Sequence, residues 1–198
     1  MSYCNVCSGG QACEQLEKPQ RAWASVSLDF ITQLPETAKG HTQIVVYVDR
    51  LTKMCHLSPL PATANALDVA TDFVSTIFKL HGLPETLVSE RDAKFTSLVW
   101  ADIMRLCGTT LSMSTSYHPQ TDGQTKRMNQ VLEDMLRHFV APNQSNWDEL
   151  LACAEFAINN SVSSTTGDTP FRLNSGQDPL TPVSIVGSTK APCSCIIC

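Results

Sequence analysis

Two carboxylates and one ammonium group lie where three segments of the chain could bring them together. Asp29 is on the polar side of an alternating segment, 24–32, which is typical of a β-strand. Glu90 follows a short apolar segment, 86–89, and Lys126 begins a long amphipathic segment after a glycine-containing loop. Sites in open α/β sheets form beyond the carboxyl ends of strands, so these groups can meet. Burying a strand carboxylate is costly unless it is paired or binds metal, so we expect an ion pair or a metal site.

The hydrophobic pattern predicts the elements that would position these groups. The segments 24–32, 43–48 and 53–60 are three consecutive predicted strands with short connections, which favours an antiparallel meander. Strands and helices then alternate. The remaining predicted elements are a helix capped by Thr63 or Asn65 that runs to about residue 80, strands at 86–89 and 109–113, and helices at 97–107, from the loop to about 140, and at 147–160. This order indicates an α/β fold, a mixed sheet with helices on its faces.

Composition and length fit one folded domain with irregular flanks. The chain has 198 residues, and a hydrophobic content of 42% is enough for a core. We expect a leader at 1–22, a domain at 23–161 and a loop-rich tail at 162–198. Three tryptophans beside periodic apolar segments are predicted core residues, and three interior cysteines are predicted to be reduced core residues. They are Trp23, Trp100, Trp147, Cys55, Cys107 and Cys153.

Charge and segment type limit the expected partners and location. The net charge of −5 argues against strong DNA binding by the isolated chain, although it is compatible with a local basic patch. There is no apolar run of about 18 residues, so we expect no membrane span. The sequence also has no basic segment followed by an apolar one at its start, which predicts a nuclear or cytoplasmic protein that is not secreted.

Six motifs make the chain similar to a known family. They are Leu28-Asp-Phe-Ile-Thr-Gln-Leu-Pro35, Val48-Asp-Arg-Leu-Thr-Lys-Met54, Leu80-His-Gly-Leu-Pro84, Val88-Ser-Glu-Arg-Asp92, Tyr117-His-Pro-Gln-Thr-Asp-Gly-Gln-Thr-Lys-Arg127 and Asn159-Asn-Ser161. Through them the chain resembles the integrase catalytic core of gypsy-class LTR retrotransposons, in the retroviral-type integrase superfamily, over about 23–182. The resemblance implies an RNase H-like fold, DNA ends as substrate, a homodimer, and two divalent ions, Mg²⁺ or Mn²⁺, held by two Asp and one Glu.

Carried over position by position, the resemblance places the three catalytic acids at Asp29, Glu90 and Lys126. The family has Asp at the second position and Glu at the third, and the thirty-five residues 91–125 keep the spacing between them, so these are substitutions. Asp29 and Glu90 remain candidate metal ligands. The longer side chain of Glu90 shifts its carboxylate by roughly 1 Å, which can cost on the order of 10²-fold in rate. Lys126 has only donors and cannot coordinate a metal ion.

Lys126 and the loop before it allow more than one interpretation. The ammonium either forms a structural ion pair with Asp29 and Glu90 or contacts a DNA phosphate. On the family's mobile loop, polar and basic side chains are implied DNA contacts: Tyr117, Gln120, Asp122, Gln124, Lys126 and Arg127. Ordinary turn chemistry explains part of the same loop, because Pro119 and Gly123 shape it and Asp122 can cap the following helix.

Two further positions can each be interpreted in two ways. Cys4 and Cys7 have the spacing of a zinc knuckle and resemble the second half of the family's His/Cys zinc domain, without its His half. They indicate a remnant of that domain or an irregular leader. Asp49, after the second strand, is expected to be exposed or paired with Arg50 or Lys53.

Three functional hypotheses follow from the residues and the resemblance. The first is an integrase-core-like, nucleic-acid-binding domain of a retrotransposon polyprotein that has lost strand transfer. The second is an active Mg²⁺-dependent integrase. The third is a host-recruited protein-interaction module. Lys126 favours the first hypothesis over the second.

Overall fold

The computed structural model describes residues 19–89, 98–113, 129, 130, 132, 134 and 145–181. The strands in this part of the chain are β1 (Ser25–Ile31), β2 (Gln43–Asp49), β3 (Cys55–Leu60), β4 (Thr86–Ser89) and β5 (Thr110–Met113). The helices are α1 (Ala66–Phe73), a π-helical turn (Val74–Phe78), α2 (Lys79–His81), α3 (Leu98–Leu106), α4 (the helical residues 129, 130, 132 and 134), α5 (Trp147–Asn159) and α6 (Pro170–Ser175).

The five strands form one mixed sheet in the order β3-β2-β1-β4-β5. β1, β2 and β3 pair antiparallel, whereas β4 pairs parallel to both β1 and β5. The predicted meander and the mixed α/β sheet are therefore confirmed. β1 lies at the centre of the sheet, where it pairs with β2 on one side and β4 on the other. Because a central strand is hydrogen-bonded to a neighbouring strand on each side, its backbone is held in place. Such a strand is well suited to position a functional side chain.

Helices cover both faces of the sheet, and this explains why all seven residues of β2 are buried. On one face, Tyr47 of β2 packs in a core with Phe73 of α1 and Trp100 of α3. On the other face, Val46 packs in a core with α5 residues such as Leu151 and with Leu132 of α4. A strand covered on both sides loses its polar alternation and is apolar along its length.

The helix after β3 begins as predicted. Asn65 accepts hydrogen bonds from the backbone N–H groups of Leu67 (2.8 Å) and Asp68 (3.2 Å), and the Asp68 side chain accepts one from the backbone N–H of Asn65. This capping box satisfies donors that have no partner within the helix. The helical path then continues through the π-helical turn and α2, and it ends at Gly82, whose φ is 79°.

α6 was not predicted, because residues 162–198 were expected to be loop-rich. The Thr169 side chain accepts a hydrogen bond from the backbone N–H of Arg172 (3.2 Å), Pro170 occupies the first turn, and Gly176 follows in the left-handed conformation. A threonine cap, a proline in the first turn and a glycine after the last turn are the usual signals that mark the two ends of a helix. This helix was missed because only six residues lie between its two ends.

The predictions for the large and sulfur-containing side chains are mostly confirmed. Trp23, Trp100 and Trp147 are all buried. All three described cysteines are free, but only Cys55 is a core residue, because Cys107 is half-buried and Cys153 is exposed on α5. Among the helices of the described ranges, none combines the length and apolar character that a membrane span requires.

Candidate active site

Asp29 lies in the central strand β1, on the face that α4 and α5 cover. Its side chain is half-buried, and both carboxylate oxygens accept hydrogen bonds. One oxygen accepts from the backbone N–H of Phe30 at 2.8 Å, and the other accepts from the side-chain amide of Asn129 at 2.6 Å. The carboxylate is therefore held in a defined direction by its own strand and by α4.

The strand register relates Asp29 to the predicted second acid position. β1 and β4 run parallel, and Leu28 pairs with Ser89, the last residue of β4. Asp29 thus directly follows the last residue of β1 that pairs with β4, just as Glu90 directly follows the last residue of β4 in the sequence. Parallel strands bring their carboxyl ends to one edge of a sheet. Glu90 itself lies outside the described residues.

The other predicted site residues also lie outside the described part of the chain. These are Lys126, the loop positions Tyr117, Gln120, Asp122 and Gln124, the neighbouring Arg127, and the cysteines Cys4 and Cys7. Of the predicted catalytic, DNA-binding and metal-ligand residues, the structure therefore describes Asp29, and it adds Asn129 as a direct contact of that carboxylate.

Asn129 was missed from the sequence. It is three residues after Lys126, a spacing that puts both residues on the same face of a helix, and this spacing was the available signal. The side-chain oxygen of Asn129 is buried and has no hydrogen-bond partner in the described part of the chain. A buried carbonyl oxygen without a donor is costly, so this oxygen is suited to an N–H donor or a hard cation.

Whether the site fits two metal ions depends on which side-chain atoms are available to coordinate them. Within the described ranges, no three His, Cys, Asp or Glu side chains are grouped to hold a metal ion. Asp29 and Asn129 supply oxygen atoms, the kind of ligand that a hard cation prefers. Within the described residues, Asp29 and Asn129 by themselves do not complete the coordination that a two-metal site needs.

The motif around Asp49 has a structural role next to β1. Asp49 is fully buried, so the expectation of an exposed position is wrong. Its carboxylate accepts hydrogen bonds from the backbone N–H groups of Trp23 (3.1 Å) and Thr52 (2.9 Å) and from the Thr52 hydroxyl (2.7 Å). Nearby, burial and then the charge of Arg50 lower the pKa of Lys53, and Asp49 opposes this shift. Asp49 therefore closes the β2–β3 turn and anchors the segment before β1.

The Asn159 motif fastens α5 to the sheet. The side-chain oxygen of Asn159 accepts from the backbone N–H of Cys55, and its amide donates to the backbone carbonyl of Cys55, both at 2.9 Å. Both groups belong to the edge strand β3, and Asn159 is 1% exposed. The Asn159 side chain thus provides hydrogen-bond partners for backbone groups at the buried edge of the sheet.

A second buried network joins the sheet to α1. The Tyr47 hydroxyl donates a hydrogen bond to the carboxylate of Asp72 at 2.7 Å, and Ser58 donates to the other oxygen of Asp72. Burial, followed by the charge of Asp72, raises the pKa of Tyr47. A tyrosine with a raised pKa stays protonated and donating, so this contact supports the fold and is not a candidate base.

Comparison with known proteins gives relatives for most of the chain. No family model matches the sequence. The chain is 35% identical over 154 residues, 78% of its length, to the Transposon Tf2-3 and Transposon Tf2-7 polyproteins of Schizosaccharomyces pombe. The matched segment spans 12% of the length of each polyprotein.

Solved structures with the same fold include retroviral proteins. The simian T-cell lymphotropic virus intasome in complex with PP2A regulatory subunit B56 gamma has a TM-score of 0.69 at 15% identity, covering 85% of this chain and 60% of that chain. The dimeric form of the HTLV-2 integrase catalytic core domain in complex with magnesium has a TM-score of 0.62 at 16% identity, covering 78% and 98%. The catalytic core domain of BIV integrase has a TM-score of 0.60 at 21% identity, covering 77% and 93%. The fold is therefore that of integrase catalytic cores.

Proposed function

The chain belongs to the integrase catalytic cores of LTR retrotransposons, and from this premise we propose that it binds DNA but has lost strand transfer. One observation carries this proposal. Lys126 stands at the position where the family resemblance requires the third acid. An ammonium group offers no lone pair to a metal ion and repels it, so the substitution removes a ligand and adds a positive charge.

The geometry at Asp29 supports the same proposal. One of its oxygens is held by the Asn129 amide at 2.6 Å, an arrangement that is stable without a metal ion. In the proposed site, the positive charge of Lys126 also offsets the negative charges of Asp29 and Glu90, which would otherwise repel each other. The HTLV-2 integrase catalytic core domain, which has the same fold, was solved in complex with magnesium. Here we propose that Mg²⁺ or Mn²⁺ binds weakly or not at all.

DNA is the proposed partner, through the loop before Lys126. Lys126 and Arg127 add two adjacent positive charges, and Tyr117, Gln120, Asp122 and Gln124 supply polar groups for phosphates or base edges. The net charge of −5 opposes long-range attraction of DNA, so we expect weak binding that depends on this local patch.

We expect the chain as it stands to bind duplex DNA ends weakly and to give no strand-transfer or disintegration product in Mg²⁺ or Mn²⁺. Fluorescence anisotropy across a salt series measures binding, and gel analysis of labelled DNA measures products. Replacing Lys126 and Arg127 with Ala should reduce the salt slope by about 2, since each phosphate contact contributes roughly 0.9.

The matched control for this experiment is Lys79→Ala with Arg105→Ala, which removes two exposed positive charges from α2 and α3. This variant should keep the original salt slope. Metal-dependent product from the unchanged chain would show an active integrase. If the salt dependence of DNA binding has the same slope in the Lys126/Arg127 variant and in the Lys79/Arg105 variant, the loop is not the DNA contact. That result would favour a protein-interaction module.

A second copy of the chain is the other proposed partner. Three large apolar side chains of one helical stretch are exposed: Leu67 (58%), Val74 (48%) and Phe78 (46%). We call them the α1 stripe. They are spaced by seven and four residues, which places them along one side of the helix. Contiguous exposed apolar groups mark interaction surfaces. The related HTLV-2 core has a dimeric form, and we propose a homodimer that buries the α1 stripe.

We expect Val74→Lys with Phe78→Lys to convert this dimer into a monomer, because two ammonium groups would be buried in an apolar contact. Size-exclusion chromatography with light scattering at high micromolar concentration measures the mass. Val162→Lys is the control, since Val162 is equally apolar and 68% exposed but lies in the loop after α5. A monomeric unchanged chain, or a dimer that survives both substitutions, contradicts the proposal.

A further inference from the structure

Two histidines outside the candidate active site are joined ring to ring. The Nε2 atoms of His56, in β3, and His81, at the end of α2, are 2.9 Å apart. Their ring centroids are 5.1 Å apart with planes 30° from parallel. That separation is close to the N···N distance plus two ring radii, so the rings meet edge to edge. The two nitrogen lone pairs therefore point towards each other, which suits one shared proton and does not suit a metal ion, whose ligands must converge from different directions.

Glu155 of α5 fixes where the protons are. Its carboxylate lies 2.8 Å from Nδ1 of His56 and accepts a hydrogen bond from the backbone N–H of Leu57 at 2.9 Å. An ionised carboxylate only accepts, so Nδ1 of His56 must carry a hydrogen. The link between the two Nε2 atoms then needs one hydrogen, supplied by neutral His81 or by protonated His56. Only when both rings are protonated would two N–H groups face each other, and this would break the link.

Trp23 covers this pair and has a strained backbone. Its φ is 61°, in the left-handed region that bulky residues rarely adopt. Its ring stacks on His81, with centroids 3.8 Å apart and planes within 6°. The backbone N–H donates to Asp49 at 3.1 Å, and the indole N–H donates to Asn174 of α6 at 2.9 Å. These contacts hold Trp23 in a conformation that it would not otherwise keep.

We propose that His56 and His81 form a one-proton latch that holds the strained Trp23 segment against β3, and that protonation of both rings opens the latch. Opening separates the end of α2 from β3 and removes the platform on which Trp23 stacks. Trp23 lies two residues before β1, the strand that carries Asp29. The latch is therefore a proton-sensitive contact between the segment that leads into β1 and the helices α5 and α6, which supply Glu155 and Asn174.

The surrounding charges are consistent with this behaviour. Burial, and then the neighbouring His56, lower the pKa of His81 to about 4, while the charge of Asp49 at the end of β2 opposes the shift. Burial lowers the pKa values of Arg50 and Lys53 in the next turn, and the charge of Asp49 opposes both shifts. Since the pKa of His81 is lower when folded than when unfolded, the folded state binds fewer protons between pH 6.5 and 4. The stability that the neutral ring contributes is full above pH 6.5 and is lost as the pH falls towards 4.

The test is NMR of the full chain with ¹⁵N-labelled histidine and tryptophan. At pH 7.5 we expect one hydrogen between the two Nε2 atoms and a hydrogen on Nδ1 of His56. On acidification, the indole signal of Trp23 should shift together with the Nε2 signals of the pair, before the signals of Trp100 and Trp147 report unfolding. A different protonation pattern, or a Trp23 shift that accompanies global unfolding only, overturns the proposal.

Two variants and one titration make the test specific. His81→Phe keeps a ring under Trp23 but removes the nitrogen, so the acid shift of Trp23 should disappear. His41→Gln, which removes a histidine bonded to Asp148 instead, should leave the shift intact. Retention of the shift in His81→Phe contradicts the latch. If one equivalent of Zn²⁺ moves the signals of both rings, the pair is a metal site and the proposal fails. The tautomer measurement on the unchanged chain does not depend on how the variants fold.

Discussion

A chain that carries Glu90→Asp together with Lys126→Glu is expected to give metal-dependent disintegration and strand-transfer product, whereas the unchanged chain gives none. The double substitution restores an all-carboxylate set at the three family positions, next to an Asp29 whose direction is already set by Phe30 and Asn129. Two metal ions act by activating the attacking oxygen and stabilising the leaving oxygen, so activity depends on complete coordination.

The two substitutions should contribute unequally. Glu90→Asp alone should remain inactive, because the ammonium group of Lys126 still occupies a ligand position. Lys126→Glu alone should give measurable product, but on the order of 10²-fold less than the double variant, because the longer Glu90 side chain displaces one carboxylate by about 1 Å. Asp29→Asn in the double variant is the control, and it should abolish the product.

Thermal unfolding gives a readout that does not require catalysis. A ligand that binds the native state raises its stability, so Mg²⁺ should raise the Tm of the double variant and leave the unchanged chain almost unaffected. Product from the unchanged chain would overturn the loss of activity. A double variant that gains Mg²⁺ stabilisation yet forms no product would show that activity was lost through something other than Lys126 and Glu90.

The sequence predicted the sheet well because its signals are local. β1, β2 and β4 are short segments with strong β-branched or alternating patterns, and short connections allowed the meander to be inferred. The cap at Asn65 follows from a pattern within four residues. α6 was missed because six residues cannot show a helical period, although Thr169 and Gly176 mark its ends.

The contacts that were not predicted join distant residues. Asn129 reaches Asp29 across 100 residues of sequence, and Asn159 reaches Cys55 across 104. Neither asparagine could be assigned a partner from a pattern, because the register between α4 or α5 and the sheet is set by side-chain packing. The residue type alone showed only that each could donate and accept. The resemblance placed Asp29 at the site, and the structure supplied what holds it there.

Replacing Asp49 with Asn is expected to destabilise the fold by about 1–3 kcal/mol, the cost of leaving a buried hydrogen-bond donor without an acceptor. Asp49 is fully buried, and its carboxylate accepts from Trp23 and Thr52. The substitution turns one acceptor oxygen into an NH₂ group that faces N–H and O–H donors, so these lose their acceptor. For a chain of this size the Tm should fall by roughly 2–12 °C.

The control for Asp49→Asn is Asp102→Asn on α3. That carboxylate is 65% exposed and pairs at 3.2 Å with Arg105, which is also exposed, so its loss should change stability by at most about 0.5 kcal/mol. Urea unfolding followed by circular dichroism measures both variants. Because Asp49 also accepts the backbone N–H of Trp23, its loss should release the strained turn before β1 and shift the indole signal of Trp23 at neutral pH. A loss below 1 kcal/mol with an unmoved Trp23 signal would show that Asp49 does not anchor this segment.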